Sequence, residues 1–319
     1  MSRALVTGGA GFIGSHLVEG LLAAGWSVRV LDNFATGREA NLAAVSNQIE
    51  LVCGDVREAR VVEQAVCDVE VVFHLAAVAS VPASVADPIE TESVNVEGTL
   101  RVLEEARTAG ARRVVLASSC AVYGENAPLP VQESAAPDPT SPYAAQKAAS
   151  EMYLRIYHRL HGLETVVLRY FNIYGPRQNP DGDYAAAIPR FVRACVDGEA
   201  PRIFGDGEQT RDFVFVADAM RANLLAASAA GAAGGTFNVA SGVETTVNEL
   251  VGTIARITGF PGQAHYSSAR AGDIPRSVAD PELARRGLGF EVGVGLEEGL
   301  TGTIAGYRVE RGKAGESAA

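Results

Sequence analysis

The sequence has no uninterrupted run of 18 apolar residues, so it offers no membrane-spanning helix. Cysteine is scarce: Cys53, Cys67, Cys120 and Cys195 form no CxxC pair and have no histidine at zinc spacing. In a chain of 319 residues this excludes a disulfide framework and a structural metal site, and reads as reduced thiols in the cytoplasm. The start of the chain enters a strand-like run, Ala4-Leu5-Val6, at once, which leaves no room for a signal peptide. Positive charge is also in deficit. The 27 Lys and Arg against 38 Asp and Glu give a net charge of −11, the wrong balance for a general nucleic-acid grip, which needs clustered cations. A local basic pocket for a small phosphorylated molecule stays compatible with that balance.

What is present points to a large folded core. Apolar residues make up 47% of the chain and charged residues 20%, which excludes wholesale disorder. The length predicts about two domains at roughly 150 residues each. The 34 glycines exceed an average share without any collagen-like period, and indicate tight turns or a backbone that something must approach closely.

Strand-like apolar runs at 4–7, 28–31, 49–52, 69–74, 113–117 and 165–168 alternate with helical patterns at 12–24, 59–66, 89–109 and 141–161. The alternation predicts an α/β fold, a doubly wound parallel sheet covered by helices on both faces. Its strands are continuous apolar runs, as burial on both faces requires. After about residue 170 a polar stretch at 172–183, with Gly175-Pro176 and Asn179-Pro180, breaks the rhythm and reads as a loop. A helix at 186–196 and shorter elements follow. We expect residues 1–170 to form one lobe, with a segment near 213–241 returning to it. Residues 171–308 should form most of a smaller α/β lobe, and 309–319 a flexible tail.

The first strand runs directly into Thr7-Gly8-Gly9-Ala10-Gly11-Phe12-Ile13-Gly14. A glycine-rich turn between a strand and a helix lets backbone N–H groups approach a pyrophosphate at the positive helix end. The second strand ends at Asp32, eighteen residues after Gly14. A carboxylate there accepts from both adenosine ribose hydroxyls and repels a 2′-phosphate, which favours NAD over NADP. Asp55, after the third strand, is within reach of an adenine amino group.

A second group begins at Ser141-Pro142-Tyr143, with Lys147 four residues beyond Tyr143. Ser141 reads as a helix N-cap and Pro142 as the first helical residue. Tyr143 and Lys147 then lie one above the other on a single helix face. A phenol becomes a base at neutral pH only if its pKa falls from about 10 to about 7, a differential of roughly 4 kcal/mol. A neighbouring Lys and a cationic nicotinamide ring both push in that direction. Upstream, Ser118 and Ser119 end the fifth strand, at the edge where parallel sheets bind ligands.

The ordered set of the glycine turn, Asp32, Gly54-Asp55-Val56-Arg57, His74-Leu75-Ala76-Ala77, Asn95-Val96-Glu97-Gly98-Thr99, Ser118-Ser119, Val122-Tyr123-Gly124, Tyr143, Lys147 and Leu168-Arg169-Tyr170-Phe171-Asn172 resembles the extended short-chain dehydrogenase/reductases that act as NAD-dependent nucleotide-sugar epimerases and dehydratases. The resemblance spans about residues 3 to 308. It implies a Rossmann-type domain and a smaller sugar-nucleotide lobe, with Tyr143 as base, Lys147 as its partner and Ser119 completing the triad. The cofactor contacts it implies are Gly8, Gly11, Phe12, Ile13, Gly14, Asp32, Asn33, Asp55, Val56, Leu75, Ala76, Ala77, Asn95, Ser118, Tyr143, Lys147 and Tyr170. On the side of a UDP-sugar it implies Ser80, Ser119, Cys120, Asn172, Ile188, Phe204, Arg211, Arg270, Asp273 and Ser277. In that resemblance Arg211 and Arg270 clamp the diphosphate, Phe204 lies against uracil and Asp273 holds the uridine ribose. Relatives commonly dimerise through two helices, here 89–109 and 141–161, so a homodimer is expected.

Members of the dehydratase branch carry Asp-Glu directly after the triad serine, whereas this chain has Cys120-Ala121. The resemblance therefore points to the UDP-hexose 4-epimerase branch, in which C4 of the sugar is oxidised and reduced again on its other face. A thiol needs a local base to be reactive, and none is visible near Cys120. Ser277 stands where members restricted to non-acetylated sugars carry Tyr, which favours UDP-GlcNAc and UDP-GalNAc, with UDP-Glc and UDP-Gal also admitted. An inward-facing Arg190 would suit a uronic acid instead. A nucleotide-sugar dehydratase or decarboxylase competes with the epimerase among enzymes, and a non-catalytic NAD-binding sensor competes with it outside them.

Overall fold

A computed structural model describes residues 2–181, 186–269 and 274–317. Up to Tyr170 the chain forms β1 (Arg3–Thr7), α1 (Phe12–Ala23), β2 (Ser27–Asp32), β3 (Ile49–Cys53), α2 (Ala59–Val66), β4 (Val71–His74), α3 (Val81–Ala86), α4 (Pro88–Glu92), α5 (Gly98–Thr108), β5 (Arg113–Ser119), α6 (Pro142–His161) and β6 (Glu164–Tyr170). Beyond it come β7 (Asn172–Tyr174), α7 (Ala187–Asp197), β8 (Arg202–Phe204), β9 (Thr210–Arg211), β10 (Phe213–Phe215), α8 (Val216–Ser228), β11 (Thr236–Val239), β12 (Thr245–Thr246), α9 (Val247–Thr258), β13 (His265–Ser267), α10 (Glu282–Leu288) and α11 (Leu296–Ser317).

Seven strands build one parallel sheet in the order β11-β6-β5-β4-β1-β2-β3. The chain order reverses between β1 and β4, and the crevice at such a reversal is where doubly wound sheets bind nucleotides. Both faces of the sheet are apolar. Along β1, Ala4 and Val6 join one core with Leu17, Val18 and Leu21 of α1 and Ala222 and Ala226 of α8. Leu5 faces the other side, where Val62 of α2, Val102 and Leu103 of α5 and Leu154 of α6 pack. The sheet is thus a doubly wound Rossmann-type layer. The chain returns to it after leaving, since β11 pairs with β6 and α8 packs on α1. A separate core, with Tyr174, Phe191, Val192, Ile203, Leu250, Ile254, Leu300 and Ile304, holds the smaller C-terminal part.

The helix carrying Tyr143 has defined ends. The Ser141 hydroxyl accepts from the N–H of Ala144 at 3.2 Å, Pro142 fills the first turn, and Gly162 leaves the helix with φ of 68°. The helix expected over 89–109 is interrupted by a π-turn at Ser93–Glu97. There the Asn95 carbonyl accepts from the hydroxyls of Thr99 (2.6 Å) and Ser150 (2.9 Å), and these side-chain bonds favour the wider turn. The segment expected as a loose tail is helical to Ser317, because α11 continues through it; Arg311 pairs with Asp197 of α7. Among the described residues no helix is long and apolar enough to cross a membrane, and no group of His, Cys, Asp and Glu is placed to hold a metal.

Candidate active site

A cavity of about 1050 Å³ runs along the C-terminal edge of the sheet. Its floor is the turn between β1 and α1, which includes Gly8, Gly11, Phe12, Ile13 and Gly14. Gly8 has φ of 69°, and a Cβ there would come within 2.8 Å of the Ala76 nitrogen. A Cβ on Gly14 would collide with the carbonyl of Gly8. Leu75, Ala76 and Ala77 form the facing wall. Gly11 is the N-cap of α1 and no side chain caps that helix, so its first turn leaves N–H groups and the positive end of the dipole to a ligand. A cradle with these properties fits a dinucleotide pyrophosphate.

At one end of the cavity lies Asp32, 7% exposed. Its oxygens accept from the backbone N–H groups of Ala10 (2.9 Å) and Phe34 (2.8 Å), so the carboxylate both orders the glycine turn and faces the cavity. Asn33 and Asp55 stand beside it, joined by a 2.8 Å hydrogen bond. Arg57 grips Asp55 through Nε and Nη2, both at 2.9 Å, and extends to Glu90 at 2.8 Å. The guanidinium holds the Asp55 carboxyl down to about 2. Val56 completes this end.

At the other end are Ser118, Ser119, Tyr143, Lys147 and Tyr170. β5 and β6 run in register here, Ser119 beside Tyr170. Burial dominates at the Tyr143 phenol and pushes its pKa up to about 12, with the nearby Ser119 hydroxyl acting the other way. Lys147 lies buried under the ring, its Nζ 5.9 Å from the ring centroid, and donates to the Ala117 carbonyl at 2.8 Å. Burial brings Lys147 down to about 8, with Glu151 opposing. In the protein by itself burial outweighs the phenol's neighbours and keeps it protonated.

Sequence reasoning missed several residues that hold this end in place. Ser84 of α3 accepts from the Tyr143 N–H at 3.0 Å. Glu151, one turn beyond Lys147, takes the Ser118 hydroxyl at 2.5 Å and the Arg169 guanidinium at 2.6 Å, and all three are buried. Arg169 also lies 4.6 Å over the Tyr123 ring. His74 is buried between Thr7 (2.8 Å) and Thr99 (3.0 Å). Because Thr99 donates to Asn95, the imidazole must donate to Thr99 from Nε2 and accept from Thr7 at Nδ1, so it is neutral. Burial and Lys147 push its pKa down to about 3.

A smaller cavity of about 190 Å³ adjoins the first, and Phe171 lines both. Cys120, Asn172, Arg211 and Ser277 line it, together with Tyr123 and Arg276. Asn172 donates to the Asp212 carbonyl at 3.1 Å, and Arg211 to the carbonyls of Thr210 and Ile274, both at 2.7 Å. The Asp212 carboxylate, fully buried, accepts from Ser241 and Gly242 and so fixes the loop behind this wall. Burial and Asp212 raise the Cys120 thiol to about 11, which makes it unreactive.

Three of the expected residues line neither cavity, and two more lie outside the described residues. Asn95 lines neither cavity: its amide accepts from Val78 N–H (2.8 Å) and donates to Gln146 (2.8 Å) and the Val78 carbonyl (3.2 Å), which exhausts its donors. Ile188, 2% exposed, packs in the C-terminal core. Phe204 lies under Arg202, 4.9 Å from the guanidinium, and lines neither cavity. Arg270 and Asp273 lie outside the described residues, as do residues 183–185. Ser80 lines the larger cavity and caps α3, accepting from Ala83 N–H at 3.2 Å.

Residues 4–240 match the model of the NAD dependent epimerase/dehydratase family. The chain is 44% identical over 310 residues to a UDP-glucose 4-epimerase of Mycolicibacterium smegmatis, covering 96% of this chain and 98% of that protein. Among solved structures it is similar to a UDP-N-acetylglucosamine 4-epimerase of Methanobrevibacter ruminantium in complex with UDP-N-acetylmuramic acid: TM-score 0.93, 39% identity, 97% and 99% of the two chains covered. It is also similar to the Thermus thermophilus UDP-glucose 4-epimerase in complex with NAD, with TM-score 0.87, 39% identity and coverage of 96% and 99%.

Proposed function

The chain belongs to the NAD dependent epimerase/dehydratase family, and from that premise we propose that it is an NAD-dependent UDP-sugar 4-epimerase, an isomerase whose preferred pair is UDP-GlcNAc and UDP-GalNAc. One observation carries the reading. Ser119 and Tyr143 line the larger cavity together, and the residues that follow Ser119, Cys120 and Ala121, line the smaller one and carry no carboxylate.

The larger cavity suits NAD, held by the glycine turn, Asp32 and Lys147. Bound there, NAD supplies the means to take hydride from sugar C4 and return it, so none is consumed. The base is Tyr143 as its phenolate, a form that Lys147 and a cationic nicotinamide ring would both favour; it would take the proton of the C4 hydroxyl and return it when C4 is reduced, while Ser119 hydrogen-bonds the same oxygen. Lys147, a buried cation beneath the ring, stabilises the phenolate once it forms. The residues directly after Ser119 supply no acid to expel the C6 hydroxyl, since Ala121 has none and Cys120 keeps its proton to about pH 11. Reduction back at C4 is then the open route, and it inverts the centre when the sugar presents its opposite face.

Arg211 and Asn172 supply polar groups for the diphosphate in the second cavity. Ser277 there leaves room beside the sugar, which supports an N-acetyl group at C2. The plain hexose pair UDP-Glc and UDP-Gal is the second reading, favoured by the 44% identity to the mycobacterial enzyme. Product analysis after incubation with UDP-GlcNAc, UDP-Glc and UDP-glucuronic acid in turn separates the readings. Fastest inversion of UDP-GlcNAc supports the preference, and turnover of UDP-Glc alone contradicts it.

The enzyme acts as a homodimer in the cytoplasm. Met152, Ile156 and Leu160 form an exposed apolar row along α6, and Ile89 of the adjacent α4 is 81% exposed. A row at i, i+4 and i+8 suits packing against its own copy. The double variant Ile156→Glu, Leu160→Glu should run as a monomer in light scattering, and an unchanged dimer would reject that face.

A further inference from the structure

A buried carboxylate stands directly behind the Tyr143–Lys147 face of α6. Glu151 follows Lys147 by one helical turn, as Lys147 follows Tyr143, so the three side chains lie along one face. Glu151 is 2% exposed and Lys147 5%. Both reach the same end of β5. Lys147 Nζ donates to the Ala117 carbonyl at 2.8 Å, and the next residue, Ser118, donates its hydroxyl to Glu151 at 2.5 Å. Ser118 in turn lines the larger cavity. From the other side Arg169 of β6 fixes the carboxylate through Nη2 at 2.6 Å and Nε at 3.0 Å. An ammonium taken out of water needs a counter-charge, and a carboxylate nearby favours its charged form.

Among the described residues the other charged or titratable groups around Lys147 are neutral, paired or at the surface. His74 of β4 is neutral. The phenols of Tyr123, Tyr143 and Tyr170 and the Cys120 thiol are raised by burial and keep their protons at neutral pH. Arg169 is engaged with Glu151, and Arg113 and Glu164 pair at the opposite ends of β5 and β6. The groups that α3 and the π-turn bring to α6 are the uncharged Ser84 and Asn95. Glu90 and Glu92 of α4 and Glu97 of the π-turn are exposed. On α5, Glu104 meets Tyr157 further along α6, Arg101 and Arg107 pair with Glu97 and Glu104, and Glu105 is part-exposed.

We propose that Glu151 is a positioning residue for the proton transfer: it is the buried counter-charge of Lys147 and, through Ser118, it fixes the strand end whose carbonyl receives the ammonium. Arg169 holds the carboxylate in place. The field of Glu151 opposes the effect of burial at Lys147, so the lysine stays the cation that steadies the Tyr143 phenolate. The proposal rests on that role for Lys147 and is independent of which sugar reacts.

Lys147 and Lys313 are the only lysines in the chain. Lysine labelled with carbon-13 at Cε therefore gives two NMR signals in the full protein, and Lys147→Arg assigns them. The wild-type Lys147 signal should titrate near pH 8. In Glu151→Gln, of the same shape but uncharged, the midpoint should fall by about 1 pH unit or more, the scale of a lost opposite charge. The alkaline decline in turnover should fall with it. Glu151→Asp keeps the charge and should stay nearer to the wild-type midpoint. If Glu151→Gln does not fold because Arg169 is stranded, the pair Glu151→Leu with Arg169→Met strands no charge and should still show a lowered midpoint. An unmoved midpoint in Glu151→Gln, or in the pair where the single variant does not fold, overturns the proposal, even if turnover drops by one factor at every pH, which marks a structural role. An equal fall in Glu151→Asp and Glu151→Gln overturns it too, as the sign of disturbed packing. A wild-type decline in turnover that does not follow the Lys147 midpoint overturns the role given to Lys147 and this proposal with it, whereas an unmoved midpoint in Glu151→Gln overturns this proposal alone.

Discussion

Tyr143, in the first turn of α6, and Ser119, at the end of β5, line the same cavity, with Ser119 acting on the phenol so as to favour its ionised form. That placement brings two hydroxyl groups to one end of the larger cavity. Tyr143→Phe removes the base and keeps the ring, so turnover should fall by about 10²–10⁴-fold. NAD content after purification should stay at the wild-type level. Turnover rates and acid-released NAD measure the two effects separately.

Lys147 gives the reaction an alkaline limit. Burial sets its pKa near 8, below the usual lysine value, so the cation that steadies the phenolate is lost as pH rises through that point. Turnover should decline above about pH 8. Lys147→Arg, which stays charged throughout, should be slower at pH 7 and should lack that decline. A pH–rate profile of the two proteins is the check.

The glycine turn, Asp32 and the Tyr143–Lys147 spacing are legible in the sequence because each depends on neighbours a few residues away. A turn needs φ above zero at Gly8, and a helix face needs i and i+4. Asn95 misleads because its partners, Val78 and Gln146, are remote in sequence and their approach is set by packing. Ile188 is open in the sequence for the same reason: an apolar residue in a motif does not announce whether it faces a ligand or a core, and here it packs in the C-terminal core. Glu151 and Arg169 carry no local signal at all, since two charges 18 residues apart become a buried pair only when α6 is laid against β6. The π-turn at Ser93–Glu97 likewise arises from hydroxyls that meet the Asn95 carbonyl only in the folded chain.

That buried pair makes a stability prediction. Arg169 and Glu151 are 3% and 2% exposed and 2.6 Å apart. Arg169→Met leaves the Glu151 carboxylate in the interior with the Ser118 hydroxyl as its hydrogen-bond partner and without its direct ion pair, and should cost about 3–5 kcal/mol in denaturant unfolding. Adding Glu151→Leu should recover part of that loss, because the second change removes the stranded charge.

Ser277 lines the second cavity, which we propose holds the sugar. Ser277→Tyr should fill that space and lower kcat/KM for UDP-GlcNAc by at least tenfold while leaving UDP-Glc within a few-fold. Equal losses on both substrates would place the N-acetyl group elsewhere.

The central claim, inversion at C4 through oxidation and return of the same hydrogen, is tested most directly by isotope. UDP-GlcNAc carrying deuterium at C4 is incubated with the purified protein in ordinary water without added cofactor, and the products are read by NMR. The account predicts UDP-GalNAc at a stable ratio with deuterium retained at C4. Loss of the label to solvent, or a 4-keto sugar altered at C6, would contradict it.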